Sequence, residues 1–149
     1  MNNESPPALA AYYKWTELFR RRSIYNMLCF SKDHHLSMSQ MGALFYINNK
    51  DAPGVSEIGE SLNISGAAAS QLLERLVQQG LVARTESVHD RRAKLLKLTE
   101  EGQQLIQKAN RSQRTWLNNV LNTLSAEEQE QVITTFTLLW EKAQTLEET

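Results

Sequence analysis

The sequence predicts a mainly α-helical protein with one small antiparallel β-hairpin, an α+β fold in a single domain over residues 1–149. Glycine and proline are scarce, with six and three residues, so long loops and many tight turns are not expected. Apolar residues recur at helical spacing along most of the chain, and two short strand-like runs stand close together in its second half. The hydrophobic fraction of 41% and the charged fraction of 22% are typical of a globular protein.

The first third of the chain predicts two helices. Residues 8–33 place aromatic and apolar side chains at helical spacing, directly after a Pro-Pro pair that favours a helix start. Ser37 and Gln40 match a capping box, in which the hydroxyl and the side-chain amide satisfy backbone N–H groups at the first turn. The second helix therefore begins here, and the turn-rich residues 48–54 end it.

A helix-turn-helix is predicted next. A short helix runs from Ser56 to Leu62, and a tight connection leads to a second helix over residues 65–79. Ser65 is placed as its N-cap and Gly80 as the residue that closes it. In such a motif the second helix enters the major groove of DNA, about 12 Å wide, and reads base edges from its N-terminal half.

The period of the pattern then changes from helix to strand. Residues 81–85 and 94–98 are short strand-like runs around a polar loop, and a hairpin directly after a helix-turn-helix is a wing. The wing spans residues 81–98, and the whole winged helix-turn-helix spans residues 37–99. Two long amphipathic helices follow over residues 100–147, with Thr99 as the N-cap of the first and a second capping box at Ser125.

Charge is distributed unevenly although the formal net charge is only −1. The segment from Val82 to Lys97 carries net +3, whereas the segment from Leu124 to Thr149 carries net −5. Because charges beyond a Debye length of about 10 Å are largely screened, a polyanion responds to the local patch. The acidic average therefore does not exclude DNA as a partner.

The N-terminal half of the second helix of the motif has the side chains that DNA contact requires. Small residues at its start allow the backbone N–H groups to approach phosphates, Ser70 and Gln71 are candidates for base contact, and Arg75 is a candidate for phosphate or a purine. The predicted DNA-binding residues are Ser65, Gly66, Ala67, Ala68, Ser70, Gln71, Arg75, Arg84, Asp90, Arg91, Arg92 and Lys94.

The segment from Asp90 to Thr99 resembles the signature of the MarR family, D-x-R-x-x-x-L-x-L-T, and the order of elements is similar over nearly the whole chain. The resemblance implies that Arg92 reaches the minor groove from the wing, where a narrow groove attracts a guanidinium, and that Asp90 holds the loop. It also implies a regulator, most often a repressor, that binds a pseudo-palindromic operator. The chain departs from the family at Gly66, Ala67 and Ala68, where larger polar or basic side chains are common.

A homodimer is expected because a single winged domain cannot cover the apolar faces of the terminal helices, residues 8–33 and 100–147. The resemblance also implies that these are dimerisation helices. It further implies an effector, a small aromatic or phenolic anion, in a cleft beside them. By position the candidate lining residues are Trp15, Phe19, Arg22, His35 and Tyr46.

No catalytic constellation, metal-ligand spacing or cofactor motif is present, so we expect no enzyme, no cofactor and no metal. The absence of a secretory signal or an apolar span favours the cytoplasm. Cys29 is expected to be a buried structural cysteine. Two alternatives remain open: an interaction module that does not bind DNA specifically, and a redox- or metal-responsive regulator that uses Cys29, with His34 and His35 nearby.

Overall fold

The computed structural model describes residues 6–86 and 94–147, and it confirms a mainly helical fold with one two-stranded antiparallel sheet. Backbone contacts divide the chain into two compact units, residues 1–111 and 112–149, so the single domain remains a prediction. The elements in chain order are α1 (Pro7–Asp33), α2 (Met38–Asn49), α3 (Val55–Ser61), α4 (Gly66–Gln78), β1 (Val82–Glu86), β2 (Lys94–Leu98), α5 (Glu100–Leu121) and α6 (Ala126–Glu147).

The predicted capping residues act at the predicted helix ends. The Ser37 hydroxyl accepts from the Gln40 N–H at 3.1 Å, and the Gln40 side-chain oxygen accepts from the Ser37 N–H at 2.8 Å. The Ser65 hydroxyl accepts from the Ala68 N–H at 3.2 Å, which begins α4 where the sequence indicated. These hydrogen bonds connect residues three apart, so local sequence is sufficient to specify them.

Several predicted boundaries shift by one residue, and for two of the starts the cause is visible. α3 begins at Val55 because Gly54 is its cap and donates its N–H to the Glu57 carboxylate at 2.7 Å. β1 begins at Val82 because the N–H of Leu81 still serves α4, donating to the Leu76 carbonyl at 3.0 Å. Gly80 has φ +73°, as the left-handed residue of this helix ending requires.

One hydrophobic core joins the helix-turn-helix to the hairpin. Leu44, Ile58, Leu73, Leu76 and Leu96 are completely buried, and they come from α2, α3, α4 and β2. A backbone hydrogen bond also connects the loop before α3 to the sheet, because the Leu96 N–H donates to the Pro53 carbonyl at 3.1 Å. The core therefore holds α3, α4 and the base of the hairpin in fixed relative positions.

The start of α5 is attached to the base of the hairpin through Thr99. The Thr99 hydroxyl donates to the Gly80 carbonyl at 2.6 Å and accepts from the Gly102 N–H at 3.1 Å. Gly102 allows this close approach, since a Cβ there would lie 2.1 Å from the Leu81 carbonyl oxygen. The contact holds the first turn of α5 against the base of the hairpin.

Candidate nucleic-acid interface

α4 presents one side to the core and one side to solvent. Ala69, Leu73 and Leu76 are completely buried. The α4 residues predicted to contact DNA are all exposed: Ser65, Gly66, Ala67, Ala68, Ser70, Gln71 and Arg75. A Cβ placed on Gly66 would meet nothing within 4 Å, so the start of α4 is open to an approaching ligand.

The exposed side of α4 borders the beginning of α2. Ser37 and Gln40 line a cavity of about 130 Å³ together with Gln71 and Arg75. The Gln40 side-chain amide also donates to the Gln79 side-chain oxygen at 3.2 Å, which connects the start of α2 to the end of α4. Sequence reasoning found the capping box but missed this neighbourhood, because nothing local indicates that α2 begins beside α4.

Arg84, predicted as a DNA contact, has a partner within the protein. Its Nη2 lies 2.8 Å from Oε2 of Glu74, an α4 residue that the sequence analysis had not selected. The two side chains retain 30% and 49% of their exposure. This ion pair connects α4, the helix predicted to enter the major groove and here called the recognition helix, directly to β1.

The tip of the hairpin lies outside the described residues. This part of the chain includes Asp90, Arg91 and Arg92, whose predicted roles in DNA binding stay predictions. The backbone of Lys94 begins β2 and lies opposite Glu86 in the antiparallel register. The base of the wing is therefore defined, and the direction of its strands follows from the core below it.

The structure only partly gathers the residues proposed for an effector cleft. Trp15, Phe19 and Arg22 share one face of α1, and Arg22 lies 5.6 Å from the centre of the Tyr25 ring. His35 is exposed in the turn after α1, with φ +55°. Tyr46 is half-buried and packs against the core.

A cavity of about 550 Å³ on α1 includes Phe19 and no other member of this set. The cleft therefore stays a prediction.

The expectation of a buried Cys29 is wrong, because this cysteine is exposed. Met27 and Phe30 are the α1 residues that pack against the core, and Ser31 beside them is buried, so Cys29 falls on another side of the helix. It lies one turn from Tyr25. The pKa of Tyr25 is raised above 10.0, first by a hydrogen bond with Cys29, then by the charge of Cys29 and by desolvation, while Arg22 opposes the shift.

Among the described residues, no three His, Cys, Asp or Glu side chains converge in an arrangement that could hold a metal ion. Across 6–86 and 94–147, none of the helices combines the length and the apolar character that a membrane crossing requires.

Comparison with known proteins shows which proteins this chain is similar to. Residues 34–93 match the family model described as MarR family. The HTH-type transcriptional regulator BilQ of Clostridium symbiosum is 29% identical, and the match covers 92% of each chain. The chain is therefore similar to MarR-family regulators.

A second relative and a solved structure are also similar to this chain. The HTH-type transcriptional regulator YfiV of Bacillus subtilis is 34% identical over 65% of this chain, and the match spans 61% of YfiV. The structure of the S. aureus MepR–DNA complex superposes with a TM-score of 0.66 and 21% identity, over 85% of this chain and 96% of MepR. These relatives are named as transcriptional regulators, which agrees with the non-enzymatic class predicted from the sequence. The superposition confirms the predicted winged fold.

Proposed function

We propose that this protein is a sequence-specific repressor of the MarR type, which binds a pseudo-palindromic operator in double-stranded DNA as a homodimer in the cytoplasm. The observation that carries the proposal is the open, small-residue surface of α4, which the buried core holds rigidly beside the base of the hairpin. A recognition helix must be both accessible and fixed in direction to read base edges. The described residues of α4 meet both conditions.

The chemistry of this surface suits DNA. Ala67 and Ala68 leave the helix start unobstructed, so backbone N–H groups and the positive end of the helix dipole can approach a phosphate. Ser70 and Gln71 follow on the exposed side, where a hydroxyl and an amide can donate to or accept from base edges. Arg75 shares its cavity with Ser37, and a guanidinium there suits a phosphate oxygen.

The homodimer is supported by the apolar surface of the terminal helices. Among the described residues, all large apolar side chains with high exposure except Met38 lie on α1 or α6. On α6, Phe136 is 54% exposed and Trp140 is 62% exposed, values that are unfavourable for a free surface in water. A second copy that covers these helices would set two recognition helices about 34 Å apart, on successive major grooves.

The proposal is tested by measuring DNA affinity against salt concentration. We expect specific binding to the region upstream of the protein's own coding sequence, with a steep negative salt slope of about −0.9 per neutralised phosphate. Arg92→Ala and Arg75→Ala should each weaken binding by about tenfold and reduce the slope, because each removes a cation from the interface. Lys142→Ala, in the acidic C-terminal segment, is the matched control and should leave both quantities unchanged.

The absence of specific binding by the wild-type chain would contradict the proposal and favour the interaction module. Binding that is indifferent to Arg92→Ala would contradict the role of the wing. A small aromatic anion that releases DNA in the same assay would support the effector hypothesis. Its loss of effect in Trp15→Ala would support the predicted cleft.

A redox response is a second candidate, and the exposure of Cys29 in the single chain favours it. An accessible thiol can be oxidised by peroxide, whereas a buried one is protected. Peroxide should then release DNA from the wild-type protein and not from Cys29→Ser. Equal release from both proteins would exclude this mechanism.

A further inference from the structure

The ion pair between Glu74 and Arg84 connects the two elements that a winged helix presents to DNA. Glu74 lies in the third turn of α4, directly after the buried Leu73, and Arg84 is the central residue of β1, opposite Leu96. Leu73 and Leu96 are completely buried, so both backbones are anchored in the core. The 2.8 Å contact therefore joins two elements that the core already supports, and outside the core it can refine the angle between them.

The position of Glu74 on α4 is unusual for a helix that approaches a polyanion. It lies on the exposed side, three and four residues after Gln71 and Ser70, where a carboxylate would repel phosphates. The α4 side chains carry one acidic and one basic residue, Glu74 and Arg75, so the helix has no net charge of its own. Electrostatics alone would favour a neutral residue at position 74.

Arg84 compensates the charge of Glu74, and its guanidinium is therefore engaged within the protein. If Arg84 turned to a phosphate, Glu74 would be left without its partner beside the DNA. The pair is partly exposed in the free protein, where water screens it and its contribution to stability is small. When DNA covers the surface and displaces water, the same attraction becomes stronger.

We propose that Glu74 is a positioning residue for DNA binding: its ion pair with Arg84 sets the wing against the recognition helix, and Arg84 serves this contact in place of a phosphate. The inference rests on the proposed DNA-binding function. A positioning role and a purely electrostatic role predict opposite changes in specific DNA affinity when the charge of Glu74 is removed.

Glu74→Gln separates the two roles. The substitution keeps the shape of the side chain and removes one negative charge, which on electrostatic grounds should tighten binding to every DNA sequence. If Glu74 positions the wing, specific affinity falls by about fivefold or more, while affinity for non-specific DNA does not fall. Glu60→Gln, which removes an exposed carboxylate from α3, is the matched control and should not weaken specific binding.

Arg84→Gln tests the second half of the proposal through the salt slope. A phosphate contact by Arg84 would make the slope less negative by about 0.9 per subunit when the residue is replaced. We expect the specific affinity to fall as in Glu74→Gln and the slope to stay at the wild-type value. The double variant should be no weaker than either single variant, and the exchanged pair Glu74→Arg with Arg84→Glu should recover part of the affinity.

The free protein provides a readout that does not depend on DNA. Residual dipolar couplings of the α4 and β1 amides should show a changed angle between the two elements in Glu74→Gln, with a change in melting temperature below about 4 °C. An unchanged angle, or a specific affinity that rises in Glu74→Gln, overturns the inference. If the wild-type chain binds no operator, the proposed function fails, whereas the coupling measurement still decides whether the ion pair sets the angle.

Discussion

The winged region and the terminal helices differ in how far their large apolar side chains are buried. In the winged region the large apolar side chains are collected in one core, where Met41, Leu44 and Leu76 are completely buried. On α6 the side chains of Ile133, Phe136 and Trp140 keep more than half of their exposure. The difference teaches that the first region is complete within one chain, whereas the terminal helices retain a surface that a second copy is expected to cover.

The largest expected effect is on the stability of the winged region, at the base of the hairpin. Gly102→Ala should lower the free energy of unfolding by about 3 kcal/mol, because the new Cβ would lie 2.1 Å from the Leu81 carbonyl oxygen and the backbone must move. Gly66→Ala is the control, since a Cβ there meets nothing within 4 Å. It should leave stability equal or raise it by up to about 1 kcal/mol.

Urea unfolding at one fixed protein concentration measures both variants. Equal stability of the two would contradict the close approach at Gly102. Gly66→Ala should nevertheless weaken DNA binding if the backbone at this position lies against a phosphate, so the same pair separates folding from function.

The second prediction concerns the exposed apolar surface of α6. Trp140→Glu should weaken the dimer by about 100-fold in dissociation constant, since it places a charge where an aromatic side chain is expected to be buried. Thr134→Glu, on the side of the same helix that carries Glu130 and Glu141, is the control and should change it far less. Sedimentation velocity across a concentration series measures both, and a wild-type chain that is monomeric at micromolar concentration would contradict the dimer.

The third prediction compares helix caps in the two regions. Thr99→Ala should cost about 1–2 kcal/mol of unfolding free energy, because its hydroxyl both caps α5 and donates to the Gly80 carbonyl at 2.6 Å. Ser125→Ala, at the exposed start of α6, should cost about 0.5–1 kcal/mol. Urea titration decides the order, and Thr99→Ser should retain most of the wild-type stability because it keeps the hydroxyl. The reverse order would mean that Thr99 does not join α5 to the hairpin.

The smallest expected effect is on the pKa of Tyr25, at the surface of α1. The pKa of Tyr25 is raised chiefly by its hydrogen bond with Cys29, so Tyr25 should ionise at a higher pH in the wild type than in Cys29→Ala. Titration of the tyrosine signals by NMR measures the difference. Phe30→Leu, which leaves the Cys29 thiol in place, should not move this titration, and equal values in wild type and Cys29→Ala would show that the two side chains do not interact.

Much of the fold could be predicted because its signals are local. The capping box at Ser37, the cap at Ser65 and the closing Gly80 each depend on residues no more than five apart, and each was found at its predicted place. Two of the shifted starts have a local cause: Gly54 caps α3 through Glu57, so the helix begins at Val55, and α4 uses the N–H of Leu81, so β1 begins at Val82. Boundaries are decided by such competition, which a propensity pattern does not contain.

The candidate site was predictable in its helix and less so in its surroundings. Periodicity placed the exposed side of α4 correctly, because burial on one helix face follows from apolar spacing. The partner of Arg84 was missed, since Glu74 lies ten positions away on another element and only the fold brings the two together. The exposure of Cys29 was mispredicted for a related reason: residue type favours burial, but the turn of α1 against α2 decides which side is covered.

The sequence by itself determined the order of the elements, their caps and the family signature from Asp90 to Thr99, because these depend on hydrogen bonds and spacings within a few residues. The tertiary structure decided which polar side chains meet. It placed Ser37 beside Arg75 and Glu74 beside Arg84, through a core that packs distant segments at fixed positions. Long-range packing selects one arrangement among many that share the same local pattern, and the charges at the DNA-facing surface follow from that selection.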